Sequence, residues 1–128
     1  MKYVDTNVLV RVITGDNPKL ANQAIAEIQR GAQNEFCILD AILVETCFVL
    51  EFHEYKMTRA NIAAALQALI SSPQIFITDT TLRSLKLYKD HPALDYADCL
   101  LFATGGRNGV LTFDSDLQKS LLQKPSTS

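Results

Sequence analysis

Acidic side chains stand at several points in this sequence where a carboxylate could take part in chemistry. Asp5 directly follows one short apolar run that is predicted to be a strand, and Asp114 follows another at residues 110–112. Either aspartate could cap the helix after it, because a carboxylate there accepts hydrogen bonds from the first N–H groups of the helix. Parallel α/β sheets also place their functional groups beyond the carboxyl ends of the strands. Both interpretations, helix cap and site residue, remain open.

Glu45 is a carboxylate within an apolar helical segment. Its neighbours three and four positions away are all apolar: Ala41, Ile42, Phe48 and Val49. We therefore expect Glu45 to be buried. An unpaired buried carboxylate costs several kcal/mol, so it must meet either a basic side chain or a metal ion.

Asp95 and Asp98 are three residues apart and share one face of a predicted helix. The helical neighbours of Asp98 include Leu94, Leu101 and Phe102, so we expect its carboxylate to point toward an apolar layer. Two carboxylates this close repel each other unless a cation lies between them. The alternative is that both are solvated at the helix start, where the helix dipole favours acids.

Together these acids predict a metal site. Asp5, Glu45, Asp98 and Asp114 lie in four separate segments. If the fold brings at least three of them together, the cluster offers only oxygen ligands, which suit Mg²⁺ or Mn²⁺. Such ions activate water for in-line attack on a phosphodiester, and a second ion about 4 Å away can stabilise the leaving oxygen. No P-loop or GxGxxG is present, and His53 and His91 have no triad context, so we expect both at helix ends or on the surface.

Short strands that alternate with helices would position these acids. Strands are predicted at residues 2–4, 36–39, 75–78 and 110–112, and helices at 19–30, 40–53, 59–70, 79–89 and 94–104, with a last helix after Asp114. The strands lack polar alternation, as in a parallel sheet that helices cover on both faces. The sequence therefore predicts one three-layer α/β/α domain over residues 1–128, with residues 124–128 as a frayed tail.

The net charge of −2 excludes a protein that binds nucleic acid through an overall positive charge. Any contact with phosphate must therefore be local or mediated by a metal ion. Three basic residues are spaced three apart on one broad helix face: Arg83, Lys86 and Lys89. This face is either simply solvated or binds the backbone of an RNA. Arg11 interrupts an apolar stretch, and its partner could be an acid or another protein.

The cysteine spacing and the hydropathy predict the redox compartment of the protein and argue against a membrane span. Cys37, Cys47 and Cys99 form no CxxC pair, so we expect small core residues in a reducing cytoplasm and no disulfide or thiolate zinc site. The longest apolar runs are five residues, whereas a membrane span needs about 18, so no span is expected.

At the acidic motifs the sequence resembles the PIN-domain ribonucleases of the VapC type, the toxin half of bacterial toxin–antitoxin pairs. The matching segments are VDTNVL at 4–9, VE at 44–45, DYADCLLFA at 95–103 and LTFDSD at 111–116, and the resemblance covers about residues 1–120. It implies a PIN-like fold with a central parallel sheet of four to five strands. It also implies a Mg²⁺- or Mn²⁺-dependent endoribonuclease that acts on structured or transfer RNA, is inhibited by a small antitoxin protein and is usually a homodimer.

The resemblance assigns roles to particular residues. The acids of the family map onto Asp5, Glu45, Asp98 and Asp114. The neighbouring positions match residues that lie beside the acids or sometimes assist them: Asn7, Asp95, Thr112 and Asp116. Two departures stand out. The chain after residue 117 lacks the short final strand common in the family, and Cys99 replaces the usual alanine.

Three alternatives compete with this hypothesis. A phosphatase of the haloacid-dehalogenase type requires a second aspartate where Asn7 stands. A receiver-type signalling domain requires paired acids after its first strand and a lysine near its last strand, and Lys119 and Lys124 come too late. A non-catalytic PIN-like module that binds RNA or protein would be indicated by loss of one of the four acids, and all four are present. The sequence therefore favours the nuclease.

Overall fold

The computed structural model describes residues 1–53 and 55–122. Within these ranges the chain forms three strands and seven helices. They run β1 (Lys2–Tyr3), α1 (Thr6–Thr14), α2 (Pro18–Gln29), β2 (Phe36–Cys37), α3 (Asp40–Phe52), α4 (Arg59–Ile70), β3 (Ile75–Phe76), α5 (Asp79–Asp90), α6 (Tyr96–Gly105) and α7 (Ser115–Leu122). The predicted frayed tail, residues 124–128, lies outside the described residues.

The strands form a parallel sheet in the order β1-β2-β3, as the alternation of strands and helices predicts. On one face Phe36 and Ile75 are paired in register and buried. On the other face Tyr3, Cys37 and Phe76 are paired in register, yet Tyr3 is 64% exposed and Phe76 is 38% exposed. The prediction that the strands are buried on both faces is therefore wrong at Tyr3 and Phe76.

The strand predicted at residues 110–112 is absent from the described structure, which has three strands and not the predicted four to five. Two side chains, those of Gln118 and Thr112, form hydrogen bonds with backbone groups of this segment. The Thr112 carbonyl accepts a hydrogen bond from the Gln118 amide, and the backbone N–H of Asp114 donates to the Thr112 hydroxyl. Local bonds of this kind compete with strand pairing. Leu111 and Phe113 are consequently more than 90% exposed.

Capping residues set the ends of several helices. Helix α4 spans Arg59–Ile70 as predicted, and the Thr58 side chain accepts a hydrogen bond from the backbone of Asn61. Helix α1 ends at Gly15, whose φ of +64° is in the left-handed region that a helix-ending glycine tolerates. The same agreement at α2, where Asn17 caps and Pro18 begins the helix, shows that local chemistry sets these boundaries.

The core lies where the helices meet. Its fully buried side chains include leucine and isoleucine from α1, α3 and α4 and two tyrosines of α5 and α6: Leu9, Leu43, Leu50, Ile62, Leu66, Tyr88 and Tyr96. Cys47 and Cys99 are buried as predicted, and burial raises the pKa of each thiol to about 12. In the described part of the chain, no helix combines the length and apolarity that crossing a bilayer requires.

Candidate metal centre

Asp5 lies at the carboxyl end of β1 and caps α1. Its Oδ1 accepts hydrogen bonds from the backbone N–H groups of Asn7 at 2.7 Å and Val8 at 3.3 Å. The carboxylate is exposed, and the cap uses only one of its two oxygens. The adjacent Thr6 hydroxyl is buried, and no residue that the structure describes forms a hydrogen bond with it. The cap therefore fixes the orientation of Asp5 and leaves Oδ2 for a ligand.

Asp95 and Asp98 form a reciprocal capping box at the start of α6. Asp95 Oδ1 accepts from the backbone N–H of Asp98 at 2.8 Å, and Asp98 Oδ2 accepts from the backbone N–H of Asp95 at 3.3 Å. Asp95 is exposed and Asp98 is half-buried. Burial raises the pKa of the Asp98 carboxyl, and the negative charges of Asp95 and Asp114 raise it further. The site thus concentrates negative charge.

Asp114 caps α7 through a hydrogen bond of 2.8 Å from the backbone N–H of Leu117 to Oδ1. Its side chain is exposed, and its charge acts on Asp98. Thr112 lies beside it, since the backbone N–H of Asp114 donates to the Thr112 hydroxyl at 3.0 Å. Asp116 is exposed in the first turn of α7. Asp98, in the first turn of α6, and Asp114, at the start of α7, are therefore close enough for their charges to interact.

Glu45 is exposed, so the prediction that its carboxylate would be buried is wrong. Two of its apolar neighbours, Ala41 and Phe48, are themselves exposed, and Phe52 on the next turn is also exposed. This stripe of α3 is therefore surface, while the side that carries Leu43, Cys47 and Leu50 faces the core. Apolar neighbours alone could not distinguish an apolar surface stripe from a buried face.

The described side chains do not complete a metal site. Over residues 1–53 and 55–122, no group of three or more aspartate, glutamate, histidine or cysteine side chains is placed to hold a metal ion. The negative charges of Asp95 and Asp114 nevertheless both act on Asp98, and these acids offer only oxygen ligands. Both features suit binding of Mg²⁺ or Mn²⁺.

Asp40 is a further carboxylate at the same edge of the sheet. It follows β2 as Asp5 follows β1, and its Oδ1 accepts a hydrogen bond of 2.9 Å from the Thr81 hydroxyl. Its charge also contributes to the raised pKa of Tyr96, after burial. The sequence predicts a helix that begins at this residue, and in the structure Asp40 is the first residue of α3 while Leu39 occupies the cap position. The position of Asp40 directly after a predicted strand was the sequence signal that could have identified it as a carboxylate at this edge of the sheet.

A partly buried ion pair joins α3 to α4. Glu51 of α3 and Arg59 of α4 are 3.4 Å apart, with side chains 19% and 12% exposed. Tyr88 donates to Glu51 at 2.7 Å, and its ring lies 4.1 Å from the Arg59 guanidinium carbon. None of the residue patterns in the sequence predicted this pair. The position of Glu51, four residues after the buried Cys47, was the available signal.

The basic candidates divide between two surfaces. Arg83 reaches toward α6 and donates to the Ala103 carbonyl at 3.4 Å. Lys86 and Lys89 instead line an open groove between α4 and α5. All three are exposed.

Arg11 has an acidic partner, which is one of the two partners that the sequence allowed. It pairs with Asp16 at 2.7 Å, and Tyr55 donates to the same carboxylate at 2.7 Å. These two bonds, first from Tyr55 and then from Arg11, lower the pKa of Asp16 to about 2. His53 and His91 lie at the ends of α3 and α5, as predicted.

One comparison with known proteins identifies a family. The family model described as PIN domain matches residues 2–120. That range includes every acid discussed above. No curated protein and no solved structure matches the chain.

Proposed function

Since the chain belongs to the PIN-domain family, a nuclease fold that typically uses divalent metal ions, we propose that it is a Mg²⁺- or Mn²⁺-dependent endoribonuclease. The observation that carries the proposal is the family match over residues 2–120, because it spans all four acids in one domain. The concentration of negative charge at Asp98 supports it, since a divalent cation relieves that repulsion.

The residues that would hold the metal are Asp5, Glu45, Asp98 and Asp114. When bound, the ion supplies an activated water and stabilises charge on the phosphodiester oxygens. The chain itself contributes orientation. The helix caps at Asp5 and Asp114 each fix one carboxylate oxygen by backbone N–H groups and leave the other oxygen for a ligand.

Neighbouring polar groups would assist this set. Asp95 holds Asp98 through the capping box, and Thr112 holds Asp114 through its hydroxyl. Asn7 and Asp116 each lie two residues from a proposed ligand and are exposed. We expect their substitution to reduce cleavage less than loss of a ligand does.

The resemblance at the four acidic motifs also suggests a biological role and partners. We propose a cytoplasmic toxin of a type II toxin–antitoxin module that cleaves structured or transfer RNA as a homodimer and is held inactive by a small antitoxin protein. With a net charge of −2, the chain must contact phosphate locally, and Arg83, Lys86 and Lys89 are exposed cations that could do so.

The test is digestion of total cellular RNA by the purified protein with Mn²⁺, with Mg²⁺ and with a chelator. Cleavage should require the metal and should return when metal is restored. Asp5→Asn and Asp98→Asn should abolish it, while Asp95→Asn and Asp116→Asn should reduce it less. Asp90→Asn, which changes an exposed acid at the end of α5, is the matched control and should cleave at the wild-type rate.

Cleavage that persists undiminished in chelator would refute the metal mechanism. Wild-type rates in Asp5→Asn or Asp98→Asn would refute the assignment of the ligands. Circular dichroism of each variant shows that lost cleavage does not come from lost folding.

A second candidate is a non-catalytic PIN-like module that binds RNA or protein. One observation favours it: the described residues contain no group of three acidic side chains placed to hold a metal. This candidate predicts that the protein binds RNA in the presence of Mn²⁺ without cutting it, and that Asp98→Asn leaves RNA binding unchanged. The same digestion therefore separates the two candidates.

A further inference from the structure

We propose that Arg59 is a positioning residue for the acidic site, acting through the turn between α5 and α6 to set the placement of Asp95 and Asp98. Arg59 is the first residue of α4 and is not itself a candidate ligand. The part of this inference that concerns metal affinity rests on the proposed function, whereas the part that concerns the geometry of Asp95 and Asp98 does not.

The Arg59 guanidinium is bonded along the whole turn. Nη1 donates to the carbonyl oxygens of Tyr88 and His91, each at 3.0 Å, and to that of Leu94. The Tyr88 carbonyl lies in the last turn of α5, where it lacks a partner within the helix, and Arg59 supplies a donor to it. One side chain therefore holds the end of α5 and the approach to α6 together.

The guanidinium is itself held in place. Nη2 faces the Glu51 carboxylate at 3.4 Å, and the Tyr88 ring packs against the cation. Glu51 is in turn bonded by the Tyr88 hydroxyl. A planar cation in contact with a carboxylate, an aromatic ring and backbone carbonyls has little freedom to move. The turn is therefore anchored to α3 as well as to α4.

The link to the acids passes through a single peptide group, the one that joins Leu94 to Asp95. Its carbonyl oxygen, on Leu94, accepts from Arg59. Its N–H, on Asp95, donates to the Asp98 carboxylate at 3.3 Å. Because a peptide group is planar and rigid, fixing its oxygen also fixes the direction of its N–H. Arg59 therefore determines the direction from which the backbone holds the Asp98 carboxylate.

Lysine cannot reproduce this arrangement. Its ammonium is a compact charge on a flexible chain, whereas the guanidinium presents several donors in a fixed plane. Arg59→Lys keeps a positive charge beside Glu51 and should lose part of the bonding to the three carbonyls. The change removes none of the carboxylates, so any effect on the acidic site must be transmitted through the turn.

The experiment compares Arg59→Lys with Ile28→Ala, a core variant in α2 that also lowers stability but does not contact the turn. The first measurement is hydrogen exchange of the Asp98 and Cys99 amides, which bond to Asp95, in protein free of metal and RNA. The second is the Mn²⁺ affinity of the same samples. Measurements are made at temperatures that give both variants the same free energy of unfolding.

We expect faster exchange at Asp98 and Cys99 in Arg59→Lys than in Ile28→Ala, and Mn²⁺ affinity that is weaker by roughly tenfold, as for other groups that orient metal ligands. Equal exchange at these amides in the two variants overturns the inference. If Arg59→Lys does not fold, Glu51→Gln takes its place, with the same expected direction and the same overturning result. Wild-type protein that binds no Mn²⁺ would refute the proposed function, while the exchange data still decide the role of Arg59.

Discussion

Helix α3 carries two glutamates whose environments predict opposite consequences of the same substitution. Glu45 is exposed, and Glu51 is paired with Arg59 and bonded by Tyr88. Changing either one to glutamine removes one negative charge and almost no volume. We predict that Glu51→Gln lowers the free energy of unfolding of the metal-free protein substantially, whereas Glu45→Gln leaves it nearly unchanged.

The magnitude follows from the contacts of Glu51. Removing one partner of a fully buried ion pair costs roughly 3–5 kcal/mol. Here the side chains of Glu51 and Arg59 retain 19% and 12% exposure, and Arg59 keeps its bonds to three carbonyls. A glutamine at position 51 can also still accept from Tyr88. We therefore expect a loss of about 2–3 kcal/mol for Glu51→Gln and a change within about 0.5 kcal/mol for Glu45→Gln.

The assay is urea unfolding followed by far-ultraviolet circular dichroism, since the chain has no tryptophan to report by fluorescence. The slope against urea should stay constant, so that the midpoints report stability alone. Glu27→Gln is the matched control, because Glu27 forms an exposed pair with Arg30 and should also change stability little. A loss below 0.5 kcal/mol for Glu51→Gln, or a loss of several kcal/mol for Glu45→Gln, would refute this reasoning.

Three further predictions concern the thiols and the pH dependence of stability. Because Cys47 and Cys99 are buried with thiol pKa values of about 12, a thiol reagent at pH 8 should modify at most Cys37 in the folded protein and all three cysteines in urea. Burial and neighbouring charges raise the pKa of Asp98 in the folded, metal-free state, so the contribution of Asp98 to stability should fall as pH rises above the ordinary carboxyl value of 3.8, and urea titrations should show a difference of that sign between wild type and Asp98→Asn. The pKa of Asp16 is lowered to about 2, so its stabilisation is complete above 3.8 and is lost as pH falls toward 2; Asp16→Asn should lose less stability over that range in acid unfolding curves.

Features that depend on local chemistry could be predicted from the sequence. The bounds of α4 follow from Thr58 as a cap and from the apolar spacing after it, and the turn before α2 follows from Gly15, Asn17 and Pro18. The parallel sheet also follows, because short strands separated by helices have few other arrangements. In each case a few adjacent residues carry the information.

Features that depend on contacts between distant residues could not be predicted in the same way. The burial of Glu45 was inferred from its neighbours on one helix, yet which stripe of α3 faces the core depends on the helices packed against it. The pairing of Glu51 with Arg59 and the loss of the strand at residues 110–112 to bonds around Thr112 are likewise decided by the partners available in the folded chain.

The proposed metal site requires that Asp5, which caps α1, and Asp98, in the first turn of α6, bind the same divalent cation. Titration of the metal-free protein with Mn²⁺, followed by electron paramagnetic resonance, tests this most directly when wild type is compared with Asp5→Asn, Asp98→Asn and the double variant. The account predicts saturable binding in wild type, weaker binding in each single variant, and a loss in the double variant that differs from the sum of the two single losses. Mn²⁺ affinity that is unchanged in Asp5→Asn, or absent in wild type, would contradict it.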